Sequence, residues 1–117
     1  MRLNEIRFSD SLPVDGYGPG FFRIGGQVHT GAVAVLPTGV SPWDGFDDAA
    51  LFARAAKTID VLLVGTGAEI AHIPGGFRTA LEEAGLGVEI MASPAACRTY
   101  NVLLSEGRRV ALALIPV

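Results

Sequence analysis

Residues 59–65, IDVLLVG, form a short unbroken apolar run of β-branched side chains and leucine, the pattern of a strand covered on both faces. VEIM at 88–91 repeats it, and RVALALIPV at 109–117 closes the chain as a last strand. Between these runs the apolar period lengthens to that of a helix. Phe77, Leu81 and Ala84 recur at i, i+4 and i+7 after Pro74, and Gly85 follows as a stop. Ala96, Tyr100 and Leu103 mark one face of another helix, with Ser93 as its cap, Pro94 in its first turn and Gly107 at its end.

Upstream, FFRIGG and VHTGAVAVLP read as two strands around Gly25 and Gly26, a tight hairpin whose second strand is closed by Pro37. RLNEIRFSD alternates weakly and predicts a short strand or an extended arm before the turn region Pro13 to Gly20. TGVSPWDGFDD is loop by its Gly, Pro and Asp content, and Asp47 or Asp48 can cap a helix running to about Thr58. From residue 59 the order is strand, helix, strand, helix, strand with short connections, which predicts an α/β sheet preceded by a β-hairpin. With 117 residues and no repeat or linker, the chain is expected to be one domain, 1–117. If strands 59–64 and 88–91 run parallel, their carboxyl ends share the sheet edge where open α/β sheets most often bind ligands. GTG at 65–67 and ASPAACR at 92–98 would converge there.

Composition narrows the class. Half the residues are hydrophobic and 18% are charged, a globular rather than a disordered balance. The net charge of -3 disfavours nucleic acid as a partner, and the pair Arg108–Arg109 is too short to change that. One cysteine forms no internal disulfide, which makes the cytoplasm the expected compartment. Glu5 and Asp10 interrupt the start of the chain where a signal or transit peptide would be apolar or free of acids. No apolar run approaches the ~20 residues of a membrane-spanning helix, so no integral membrane segment is expected.

Candidate chemistry lies mostly at the shared sheet edge. In GTGAEI, Gly65 and Gly67 flank Thr66 as the first two glycines of a dinucleotide fingerprint, but Ile70 stands where the third is needed. A sharp turn at a strand end is the stronger reading, and no cofactor is implied. Neither a phosphate-binding loop nor a nucleophile elbow is present. Cys97 sits near a helix start beside Arg98, where a thiolate would be favoured. A nucleophile also needs a base, and only His29 and His72 are available, so a packed thiol is the commoner outcome. The same scarcity of ligands disfavours a metal site. Arg98 and Asn101 are neighbours on the helix surface, suited to hold a carboxylate or phosphate, or to anchor a loop such as the one carrying Asp15 or Asp44. Trp43, the single tryptophan, either anchors a partner or covers one end of the core.

VLLVGTG, VEIM and AACRTYNVLLSEGRRVALALI, with Tyr17, Gly18, Pro37 and the SPW tripeptide upstream, resemble the small domain family whose mitochondrial member is respiratory complex I assembly factor 3. The resemblance covers nearly the whole chain. It implies a three-layer α/β domain with a central mixed sheet, and a role in building a membrane complex through protein contacts. It transfers no catalytic residue. Ala92 and Ser93 stand where the family leads one to expect an Asp and Thr pair, which weakens any site needing a carboxylate there. The expected function is therefore a non-enzymatic assembly or scaffold protein of the cytoplasm, acting at the inner face of the membrane on subunits of a respiratory complex. An acidic, apolar-rich domain of this size is also compatible with a homodimer. The alternative is a small-molecule binder or enzyme at the edge formed by Gly65, Thr66, Gly67, Ser93, Cys97, Arg98 and Asn101.

Overall fold

The computed structural model describes residues 11–117; the strand or arm expected over RLNEIRFSD lies outside them. The chain forms three layers. Strands β1 (Val14–Gly18), β2 (Phe21–Ile24) and β3 (Gln27–Thr30) make an antiparallel three-stranded sheet. A second sheet of five strands follows: β4 (Val33–Leu36), β5 (Gly39–Pro42), β6 (Val61–Thr66), β7 (Gly87–Met91) and β8 (Val110–Ile115). Its order is β5-β4-β8-β6-β7. β6 runs parallel to both β7 and β8, while β4 is antiparallel to β8 and to β5, so the sheet is mixed. Helices α1 (Ala50–Ala53) and α2 (Gly75–Glu83) cover one face of it; α3 (Ser93–Ser105) and the small sheet cover the other. Among the described residues no helix is long and apolar enough to cross a membrane.

Strand periodicity assigns the two cores. Leu62 and Val64 of β6, Ala111 and Ala113 of β8 and Ala34 of β4 face the α1–α2 layer, whereas Leu63, Val110, Leu112, Leu114, Val33 and Val35 face α3. The small residues on the first face, with Ala34 paired to Ala113, leave room for Trp43, Phe52 and Phe77 to lie against the sheet. The runs of β6 and β8 are buried on both sides, as their pattern predicts; VEIM is not, because β7 is an edge strand on which Val88 is buried while Glu89 is exposed and Ile90 and Met91 are half-buried.

Four expectations are corrected. VHTGAVAVLP is two strands in two sheets: Gly31, at φ +80°, turns the chain and donates its N–H to Gly20 O at 2.9 Å, after which every residue of β4 is buried beside β8. Residues 39–42 are a strand rather than loop, because the Pro37–Thr38 turn folds them back onto β4 with Val40 opposite Val35. Pro42 is tolerated there because β5 is an edge strand. The helix expected from Asp47 or Asp48 to Thr58 is one turn long and continues as turns, although Asp48 Oδ1 does accept the Leu51 N–H at 3.3 Å. Ser93 is the first helical residue of α3, not its cap; Ala92 holds that position and Ser93 has another use.

The other punctuation agrees with the pattern. Gly25 and Gly26 both take positive φ in the two-residue turn between Ile24 and Gln27. Gly85 and Gly107 close α2 and α3 with paired bonds, Leu86 N to Leu81 O and Arg108 N to Leu103 O among them.

Candidate functional site

β6 and β7 end on the same edge, so GTG and the start of α3 do meet. Their polar groups are used on one another. Ser93, fully buried, donates its hydroxyl to Ile115 O at 2.6 Å and accepts the Gly67 N–H at 2.9 Å, while its own N–H bonds Gly67 O at 2.7 Å. One hydroxyl thus joins the ends of β6 and β8 to α3. Gly65 lies directly beneath: a Cβ there would sit 2.8 Å from Ser93 Cα and 2.8 Å from Leu114 Cδ2. Gly67 takes φ +107°, which suits glycine. Thr66 turns outward and staples the following loop, its hydroxyl donating to Glu69 O at 2.8 Å and accepting the Ala71 N–H at 2.9 Å.

The AACRTYN block serves a second junction. Asn101 treats the backbone of Val14 as a strand would, accepting its N–H at 2.9 Å and donating to its carbonyl at 2.8 Å. Tyr100, buried, donates its hydroxyl to Leu12 O at 2.8 Å. These bonds pin the edge of the small sheet to α3, each contributing on the order of 1 kcal/mol net. Asn101 therefore anchors β1, rather than the Asp15 or Asp44 loop; Asp15 instead accepts the Gly26 N–H at 2.6 Å across the hairpin. Arg98, one turn away on α3, is exposed.

Cys97 is 4% exposed and faces the β6–β8 side of α3 among Leu63, Leu112 and Leu114. Burial pushes its thiol up to about 11, against a smaller opposing pull from Arg98. Among the described residues neither histidine hydrogen-bonds it: His29 lies opposite Phe22 in the small sheet and His72 is exposed in the loop after β6. Labelling of Cys97 by a small thiol reagent should be at least about a hundredfold slower near pH 8 than for a free cysteine, from the scarcity of thiolate alone. The unfolded chain ionises first as pH rises past about 9, so this thiol, and Tyr100, whose hydroxyl burial also raises, should erode stability in alkali. A labelling profile with its midpoint near neutrality would contradict both statements.

Trp43 is placed elsewhere. It is 4% exposed in the α1–α2 layer, edge-on to Phe46 and Phe52 at 5.5 and 5.6 Å and tilted against Phe77 at 5.7 Å. Its indole N–H donates to Asp48 O at 3.2 Å. Six of the eight candidate residues thus belong to β6 or α3, Gly67 directly follows β6, and Trp43 lies across the sheet.

One feature carries no signal in the sequence beyond a single bulky residue. Ile70, 66% exposed, rims a depression of about 280 Å³ with Ala71, His72 and Ile90. A second depression, of about 260 Å³, lies between Pro13 and the Asn101–Ser105 end of α3. Among the described residues no three His, Cys, Asp or Glu side chains gather as a metal ion would need.

Comparison with known proteins gives this geometry a context. The sequence profile of a family described as "Protein of unknown function (DUF498/DUF598)" matches residues 14–115. An uncharacterized protein of Rhodobacter capsulatus is 50% identical over 117 residues, 100% of this chain and 94% of that one. NADH dehydrogenase (ubiquinone) 1 alpha subcomplex assembly factor 3 of Danio rerio is 36% identical over 107 residues, 86% of this chain and 62% of the factor. The chain thus spans about three fifths of that relative's length. The crystal structure of an outer membrane protein from Bartonella henselae superposes with a TM-score of 0.83 at 35% identity, covering 93% of this chain and 98% of the other.

Proposed function

The chain belongs to the DUF498/DUF598 family of proteins of unknown function, and from that premise we propose that it is a non-enzymatic assembly or scaffold protein acting through protein contacts on a membrane respiratory complex. The observation that carries this reading is the likeness to complex I assembly factor 3, at 36% identity over 86% of this chain. The sheet edge adds support. Ser93, Gly67 and Thr66 direct their hydrogen bonds at one another and at neighbouring backbone, and the Cys97 thiol is held protonated by burial. A nucleophile or a phosphate cradle needs those groups free. Arg98, exposed on α3, is the group that the alternative of a small-molecule binder or enzyme would use.

Deletion of the gene should lower the amount of assembled respiratory complex, and a tagged full chain should recover subunits of that complex. Unchanged complex levels together with recovery of no such subunit would overturn the proposal.

A further inference from the structure

The five-stranded sheet has two outer edges, and they differ. β5 carries Pro42, which cannot donate to an added strand. β7 pairs on its inner side with β6, from Val61 opposite Gly87 to Met91 opposite Gly65, and contains no proline. Among the described residues no strand lies on its outer side. An uncovered edge of this kind is a template for another extended backbone.

An apolar seat adjoins it. Ile90 of β7 and the loop residues Ile70, Ala71 and His72 line the depression of about 280 Å³. The exposure of Ile70 is built in: the Thr66 hydroxyl bonds Glu69 and Ala71, the residues on either side of it, and so presents Ile70 from a fixed base. The exposed charge on β7 and the adjoining loop is acidic: Glu69 precedes Ile70, and Glu89 projects from the α3 face of β7, opposite to Ile90. α2, packed on β7, ends in exposed Glu82 and Glu83, of which Glu82 pairs with Arg78 at 3.1 Å, while α3, also packed on β7, carries exposed Arg98.

We infer that the outer edge of β7 and the depression between Ile70 and Ile90 form a docking strip for an extended segment of a partner protein, rich in lysine or arginine and carrying an apolar residue for the seat. The segment adds as a sixth strand, its backbone satisfying the β7 edge and its cations meeting Glu89 and Glu69. A second copy of this chain fits poorly. Two-fold pairing of β7 with itself brings two acidic strips together, and centred on the strand it sets Glu89 against Glu89, where like charges destabilise. The inference rests on the reading of the chain as a protein-binding assembly factor.

The test is amide hydrogen exchange on the full chain with two short synthetic peptides, one alternating lysine and valine, the other glutamate and valine. The lysine peptide should slow exchange in β7. Glu89→Lys should weaken it about tenfold and favour the glutamate peptide instead, the scale expected for reversing a cross-strand charge pair. Ile70→Asp should weaken the lysine peptide comparably. Both side chains are exposed, so thermal unfolding should be unchanged. Equal response to the two peptides, no slowing at the β7 amides that point away from β6, or those outward amides already protected in the protein alone would overturn the strip. So would a dimer, seen by sedimentation, that Ile70→Asp dissolves. The two readings fail separately: if deletion lowers the respiratory complex but both variants restore it fully, the strip falls and the assembly role stands. If deletion changes nothing while the lysine peptide still binds β7, the assembly role falls and the strip stands.

Discussion

Trp43→Ala is expected to lower the free energy of unfolding by about 3–5 kcal/mol, the cost of emptying a large aromatic site in a core. In sequence Trp43 sits among Ser, Pro, Asp and Gly, the setting of a loop anchor for a partner. In the fold it is 4% exposed, touches three phenylalanine rings and satisfies its N–H on Asp48 O. Removing it leaves Phe46, Phe52 and Phe77 around a void and strips the 43–49 loop of its hold on the sheet. Because the variant loses the only tryptophan, the comparison belongs to circular dichroism in a urea titration, not to intrinsic fluorescence. A midpoint equal to that of the parent would mean that the ring is dispensable for folding and would return it to the list of partner contacts.

Gly65→Ala tests the other side of the sheet and should cost about 2–3 kcal/mol, as overpacking does where the neighbour is backbone. The added methyl meets Ser93 Cα and Leu114 at 2.8 Å, so α3 must move off β6. That movement would also stretch the Ser93 hydroxyl away from Gly67 and Ile115, exposing the cost of two unmade bonds in a buried place. If this glycine instead served to admit a phosphate, the variant would fold with parental stability and lose only a ligand. Chemical denaturation separates the two outcomes.

How much of this was legible beforehand follows from where each piece of information resides. VLLV and VALALI are continuous apolar runs, and a run buried on both faces needs no partner named to be recognised as a strand; VEIM, with exposed Glu89, is a strand of the sheet edge instead. The helix ends at Gly85 and Gly107 and the Gly25–Gly26 turn are local too, since each depends on backbone angles of one or two residues. The alternation of elements then sufficed for an α/β sheet behind a hairpin, and the resemblance to an assembly-factor family pointed to its mixed, three-layer form.

Long-range choices left no such trace. Nothing local says that VHTGAVAVLP must change sheets at Gly31, since the break arises from competition between β2 and β8 for neighbouring residues. A serine before a proline reads as a helix cap, and only the approach of Gly67 and Ile115 turns it into a latch between strands. The Asn101–Val14 pairing joins residues 87 positions apart, and the exposure of Ile70 depends on a hydroxyl four residues upstream. Periodicity records which faces are apolar, because burial acts on every turn or pleat. It records neither which polar groups find each other nor which edges stay open, because those follow from the packing of whole elements.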